Sequence, residues 1–167
     1  MKKINTLAGL PAELIVAGKM AARGWNIYSP HRDVGFDFIA TLKVEQNILI
    51  RPVQVKGCYF EKRKDSPYYG KSNMDLTATH DEMVLAIPYF FPEKDNELTL
   101  QFIAYMPWNQ LRSQPSGRFR TMPAKVKTGR PTQRRDFLKF FDDSGMIMME
   151  QTDWKNTAIG VQNENTG

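Results

Sequence analysis

GFDFIATLKVEQNILIRPVQVKG, from Gly35 to Gly57, reads as two strands folded back on each other about Glu45-Gln46-Asn47. Apolar and β-branched residues fill both runs, and a glycine stands at each end. Strand side chains alternate, so Gln54 and Lys56 share one face while Val53 and Val55 take the other. If the strands pair, Asp37 comes beside Gln54 and Lys56, which gathers an acid, an amide and an amine in one small volume. A buried carboxylate or ammonium costs several kcal/mol unless it is paired or metal-bound. Two readings follow: a partly exposed Asp37–Lys56 salt bridge on a sheet rim, or a functional site. Pro52 inside the second strand implies an edge position, a bulge or a break in pairing, any of which re-aims the residues after it.

Upstream, Leu10, Leu14, Ala17 and Ala21 fall at helical spacing, Pro11 suits a first helical position and Gly24 a residue past the end. This spacing predicts a helix from about Pro11 to Arg23. Glu13 then lies at the edge of the apolar face, where it either reaches a site on the sheet or favours the positive end of the helix dipole. Trp25 to Ser29 reads as a short strand, and Pro30 with His31-Arg32-Asp33 as a turn. His31 is a surface turn residue on one reading and, with Arg32, a substrate contact on the other.

Downstream, Tyr59, Phe60, Lys62, Arg63, Lys64, Tyr68, Tyr69 and Lys71 mix aromatic and basic residues. Such a mixture either stacks on bases and holds a phosphate backbone or anchors a loop to the core. Gly70-Lys71-Ser72 is not a phosphate-binding P-loop, because Asp65 stands where that motif needs glycine. His80-Asp81-Glu82 reads as a turn before a buried strand from Met83 to Ile87, with Asp75 and Asp81 as outer candidates for a site. A His-Asp phosphohydrolase needs more histidines than His31 and His80. Leu98 to Met106 reads as another strand, and Pro107-Trp108-Asn109 as a helical turn. Phe137, Phe140 and Phe141 predict a helix from about Thr132, ended by Asp142-Asp143-Ser144-Gly145. Met146 to Glu150 reads as a last strand.

The chain has 167 residues, enough for one domain with a proper core, here taken as 1–155 with a flexible tail over 156–167. The lone Cys58 excludes an internal disulfide framework and fits a reducing compartment. No uncharged run approaches a membrane span, since Glu13 and Lys19 interrupt the first apolar segment, and the expected location is cytoplasmic. From Arg112 to Lys139 nine Lys or Arg stand against one acid, Asp136, a net +8 in a chain of +5. A basic segment on an otherwise mildly acidic chain is either a phosphate-binding surface or a solvated loop.

Glu13 on a first helix, Asp37 after a glycine at a strand start, and Gln54-Val55-Lys56 at the end of the next strand resemble the PD-(D/E)XK nuclease superfamily, in its Holliday junction resolvase-like and restriction endonuclease-like branch. The likeness covers the first half of the chain. Phe36 stands in place of the proline of that name, and Gln54 replaces the acid of the last motif, giving a Q-x-K variant. The resemblance implies an α/β fold, a restriction endonuclease-like αβββαβ core with a mixed central sheet flanked by helices. Its second core helix has room only around Asp75 to Glu82. It also implies a divalent-metal-dependent DNA endonuclease that hydrolyses phosphodiester bonds, on branched or damaged DNA in recombination, repair or restriction.

On that reading Glu13, Asp37, Gln54 and Lys56 are catalytic. Asp37, the Gln54 side-chain carbonyl, Glu13 and the backbone carbonyl of Val55 hold Mg²⁺ or Mn²⁺, and no small-molecule cofactor is expected. Lys56 stabilises charge on the phosphoryl group or orients water. Arg32, Arg63, Lys64, Lys71, Arg118, Arg120, Arg130, Arg134 and Arg135 are the candidate DNA contacts. Many such nucleases cut two strands as homodimers, so a homodimer belongs to the same expectation. The alternative is a catalytically inactive nuclease-fold domain that binds nucleic acid or a protein partner, which the neutral Gln54 favours.

Overall fold

A computed structural model of the chain describes residues 9–60, 67–76, 80–93, 97–157 and 159. It is mixed α/β, with two sheets and few helices. Helix α1 (Gly9–Ala22) ends at Gly24, whose φ of 97° suits only glycine. Its buried stripe is Ala12, Val16 and Met20; of the expected Leu10-Leu14-Ala17-Ala21 face, Leu14 is 63% exposed, Ala21 is exposed, Ala17 is partly buried against the core, and the Leu10 side chain lies outside the described set. The segment is apolar nearly all round, so spacing alone admits more than one stripe, and the small Ala12 lets the helix sit close to the sheet.

Strands β1 (Asn26–Tyr28), β2 (Phe38–Val44) and β3 (Asn47–Val55) form an antiparallel meander. The β2–β3 hairpin turns on Glu45, which adopts a left-handed φ of 54°. Strand β4 (Cys58–Tyr59) follows β3, and β5 (Tyr68–Met74) begins the second sheet. Strand β6 (Val84–Pro92) then returns parallel to β3, with Val53, Val55 and the short β4 along one of its edges. Strand β7 (Leu98–Pro107) runs antiparallel along the other. Pro52 therefore lies in an interior strand and not at an edge. It faces Ile39 of β2, and pairing with β6 starts only at Val53, so its missing N–H forfeits no bond to β6.

The basic window is not a loop followed by an α-helix. It forms β8 (Arg112–Ser113), β9 (Phe119–Lys127) and β10 (Arg130–Gln133), with β9 central between β5 on one edge and β8 and β10 on the other. Thr128 and Gly129, at φ 50° and 80°, supply the tight hairpin turn that a Thr-Gly pair can make. At Gly70 a side chain would run into the backbone of Thr121, so the irregular register of β5 on β9 depends on glycine there.

Phe137 and Phe140 are buried on a 3₁₀ helix (Arg135–Phe140), and the α-helix begins where it was expected to end. Helix α2 covers Asp142–Met149, so Met146 to Glu150 is not a strand. Gly145 is no terminator: it lets α2 close on the Phe140 carbonyl and the Tyr105 ring, which any side chain would strike. Asp142 anchors the start, accepting from Ile103 N at 2.8 Å and Gln133 Nε2 at 3.0 Å. No helix forms over the described residues between β5 and β6; Thr77 to Thr79 lie outside them. Among the described helices none is long and apolar enough to cross a membrane.

Helix α1 packs on β1, β3 and β6, and α2 on β7. The C-terminal segment closes over the body through Trp154, fully buried on a short 3₁₀ turn (Trp154–Asn156), and Ile159, which packs on the core. Most other residues of the expected tail lie outside the described set.

Arg51 secures this closure. Only 3% exposed, it donates to Met149 O, Gln151 O and Ile50 O and pairs with Glu82 at 2.8 Å, and its guanidinium lies over the Trp154 ring. Glu82 also accepts from Trp154 Nε1 at 2.7 Å and pairs with Lys155 at 2.8 Å. Burial pushes Glu82 up, but the Lys155 and Trp154 hydrogen bonds and the Arg51 and Lys155 charges outweigh it and hold its pKa below the usual glutamate value.

Candidate active site

The β2–β3 register sets Phe38 opposite Val53, so Asp37, one residue before β2, stands across from Gln54. Its backbone N–H donates to Val53 O at 2.8 Å, and its Oδ2 accepts from the Val55 N–H and from Gln54 Nε2 at 2.9 Å. Lys56 follows on the same face as Gln54, just past β3, where its backbone N–H bonds to Ala86 O of β6. Glu13 reaches the place from α1. It sits beyond the first helical turn, where dipole stabilisation has largely faded, so its position answers to the cleft and not to the helix end.

Glu13, Asp37, Gln54 and Lys56 line one open cleft of about 520 Å³. His31, Arg32, Asp33 and Asp75 line it too, with Pro30, Gly35, Phe36 and Leu76. The sequence places Asp33 only within a turn. Its Oδ1 accepts from Gly35 N at 3.0 Å, and the Asp-x-Gly spacing is the signal that could have placed it beside the site. Asp81, the other outer candidate, is exposed and does not line the cleft.

Electrostatics in this cleft are unresolved by the protein itself. Burial, then the charge of Asp37, pushes Glu13 above the usual glutamate range, and Lys56 offsets part of the rise. Burial likewise raises Asp37, against the lowering effects of the Val55 N–H and Lys56, while Asp33 raises it further. Burial is the first cause of the rise at both Glu13 and Asp37, and each carboxyl lies close enough to influence proton binding at the other. A dication placed between them would favour the ionised form of both carboxyls, adding to the charge of Lys56.

Among the described residues no three His, Cys, Asp or Glu side chains converge as a ligand set. The donor set of Glu13 and Asp37 nonetheless fits a hard cation such as Mg²⁺, which takes one or two carboxylates and keeps several waters. Gln54 turns its amide nitrogen toward Asp37, so its carbonyl faces away. A half-turn of the amide would exchange the two.

The expected DNA contacts scatter. Of them only Arg32 lines the cleft, and Arg63 and Lys64 lie outside the described residues. Arg130 is paired with Glu93 at 2.7 Å and lies over the Phe91 ring. Arg134 donates to Met122 O at 2.8 Å, pairs with Asp136 at 3.1 Å and stacks on Tyr68 and Phe137. Arg118, Arg120 and Arg135 are exposed, and Lys71 is half-buried on β5. Of the aromatics, Tyr59 stacks on Phe90 and Phe60 packs against Tyr69 and Phe91, so these rings anchor the chain to the body.

No protein-family model matches the chain, and no curated protein matches it significantly.

Proposed function

We propose that the protein is a divalent-metal-dependent endonuclease that hydrolyses phosphodiester bonds in DNA, with the Glu13–Asp37–Gln54–Lys56 cleft as its active site. The observation that carries this reading is the meeting of two carboxyls, both held above their usual pKa, with an ammonium in one open cleft. Two carboxyls raised chiefly by burial, meeting an ammonium in an open cleft, match the oxygen donors that a hard divalent cation takes. The order of α1, a three-strand meander and a strand returning parallel beside β3 also supports the restriction endonuclease-like core that the sequence resembles.

Asp37 and Glu13 would hold Mg²⁺ or Mn²⁺, with the Val55 carbonyl and, after its amide turns, Gln54. When bound there, such an ion would supply Lewis-acid stabilisation of the phosphoryl oxygens and a bound water of lowered pKa. Lys56 places its ammonium where negative charge develops on the phosphoryl group. Arg32, exposed at the cleft wall, is positioned to hold a flanking phosphate. With one neutral amide among the donors, the expected metal requirement is in the millimolar range.

The test is cleavage of a four-way junction, a linear duplex and a single strand with Mg²⁺ and Mn²⁺. Asp37→Ala and Lys56→Ala are each expected to lower the rate by roughly 10²-fold or more while leaving DNA affinity nearly intact. Intact DNA in every metal, from a protein that still binds it, would instead favour a binding domain on the same fold.

A further inference from the structure

We propose that a second pocket, on the small sheet, binds a phosphate group. It has a volume of about 510 Å³, is lined by Arg112, Arg120, Arg134, Tyr68 and Gln110, and shares no residue with the cleft. Arg112 and Arg120 are direct cross-strand partners on β8 and β9. Like charges facing each other across a strand pair destabilise it, and neither side chain has an acidic partner among the described residues. A short β8 of two residues that keeps two exposed guanidiniums face to face makes physical sense when an anion lies between them.

Arg134 supplies the rigid wall. The Met122 carbonyl, Asp136 and the Tyr68 and Phe137 rings fix its guanidinium, so little side-chain entropy remains to lose on binding. Three guanidiniums against the single acid Asp136 leave the pocket cationic, and planar forked donors match tetrahedral oxyanions. The phosphate is either the terminal monoester of a strand or an internal diester, and only this choice of source rests on the nucleic-acid reading above.

Three probes separate the cases: inorganic phosphate by calorimetry, and a short single strand with either a 5′-phosphate or a 5′-hydroxyl by fluorescence anisotropy. Wild-type protein is expected to bind inorganic phosphate saturably, and the Arg112→Gln/Arg120→Gln variant about tenfold or more weakly, as the loss of charge-assisted hydrogen bonds requires. Removing the facing charges is also expected to raise the Tm of the free variant, which shows that it folds. A preference for the 5′-phosphorylated strand that vanishes in the variant identifies a terminal phosphate. Equal weakening of both strands, with a salt slope shallower by about 0.7, identifies an internal one. Phosphate binding without binding of either strand would keep the pocket and remove a single strand as the source of its phosphate. Phosphate affinity unchanged in the variant, or no saturable phosphate binding by wild type, would overturn the proposal.

Discussion

Strand β3 carries two polar clusters three residues apart, and they have opposite electrostatic characters. At Arg51 the protein satisfies itself: one buried guanidinium caps carbonyls at the end of α2 and meets Glu82, whose carboxylate is held below its usual pKa by donors on every side. At Gln54 the protein leaves a deficit: Asp37 and Glu13 are both raised, with Lys56 as the nearby countercharge. The difference teaches which polar groups to read as structure. A carboxylate whose folded environment lowers its pKa stabilises the fold, whereas one raised by burial costs stability at neutral pH. Asp142 is raised too and yet anchors α2, so what sets the cleft apart is the meeting of Glu13, Asp37 and Lys56 in one open place.

The largest effect that would break this contrast is at the closed cluster. Arg51→Ala is expected to cost roughly 3–5 kcal/mol, since it removes one partner of a buried pair and strands several carbonyls. In a chain of this size that is a fall in Tm on the order of 10 °C, measured by calorimetry. Glu82 gives the same cluster a pH signature. Its pKa is depressed by folding, so its stabilisation is complete above the ordinary value near 4.3 and is lost as pH falls through the lower folded value. A Tm unchanged in Arg51→Ala would show that the clamp is ornamental.

At the open cluster, Gln54→Glu adds the charge that the resembled motif carries. It is expected to tighten divalent-cation binding about tenfold, the equivalent of about 1.4 kcal/mol, while lowering the Tm of the metal-free protein at pH 7. Unchanged metal affinity would remove Gln54 from the site.

The smallest effect is the most diagnostic. For an acid whose pKa rises on folding, the folded state is penalised once pH exceeds the unfolded value, so neutralising Asp37 should help only at higher pH. Asp37→Asn is therefore expected to raise Tm at pH 7 by roughly 2 °C and to change little near pH 3. A loss of stability at pH 7 would mean that Asp37 is a structural acceptor for Val55 and Gln54 and nothing more.

The first half of the chain was legible because its signals are local. The β2–β3 hairpin follows from alternation and a turn, and its register alone puts Asp37 opposite Gln54. Glu13 was harder, since the all-round apolarity of α1 hides which stripe is buried. The second half misled because its residues are chosen by tertiary contact. The spacing of Phe137, Phe140 and Phe141 suits a helix, yet they span a 3₁₀ turn and the start of α2, and Phe141 pairs with Ala104 of β7. Gly145 looked like a stop because its true reason, room for the Phe140 carbonyl and Tyr105, lies outside any local window. Arg130 looked free because its partner Glu93 lies far away in the chain, and Arg134 because nothing local shows that Asp136, the one acid of the window, turns back onto it.

The contrast between the clusters is tested most directly by calorimetric titration of Mn²⁺ into wild type, Asp37→Asn and Glu82→Gln. The expected result is one saturable site of millimolar affinity in wild type, kept in Glu82→Gln and weakened about tenfold or more in Asp37→Asn, as loss of a carboxylate ligand to a dication requires. Saturable binding untouched by Asp37→Asn, or none in wild type, would contradict a metal site in the cleft.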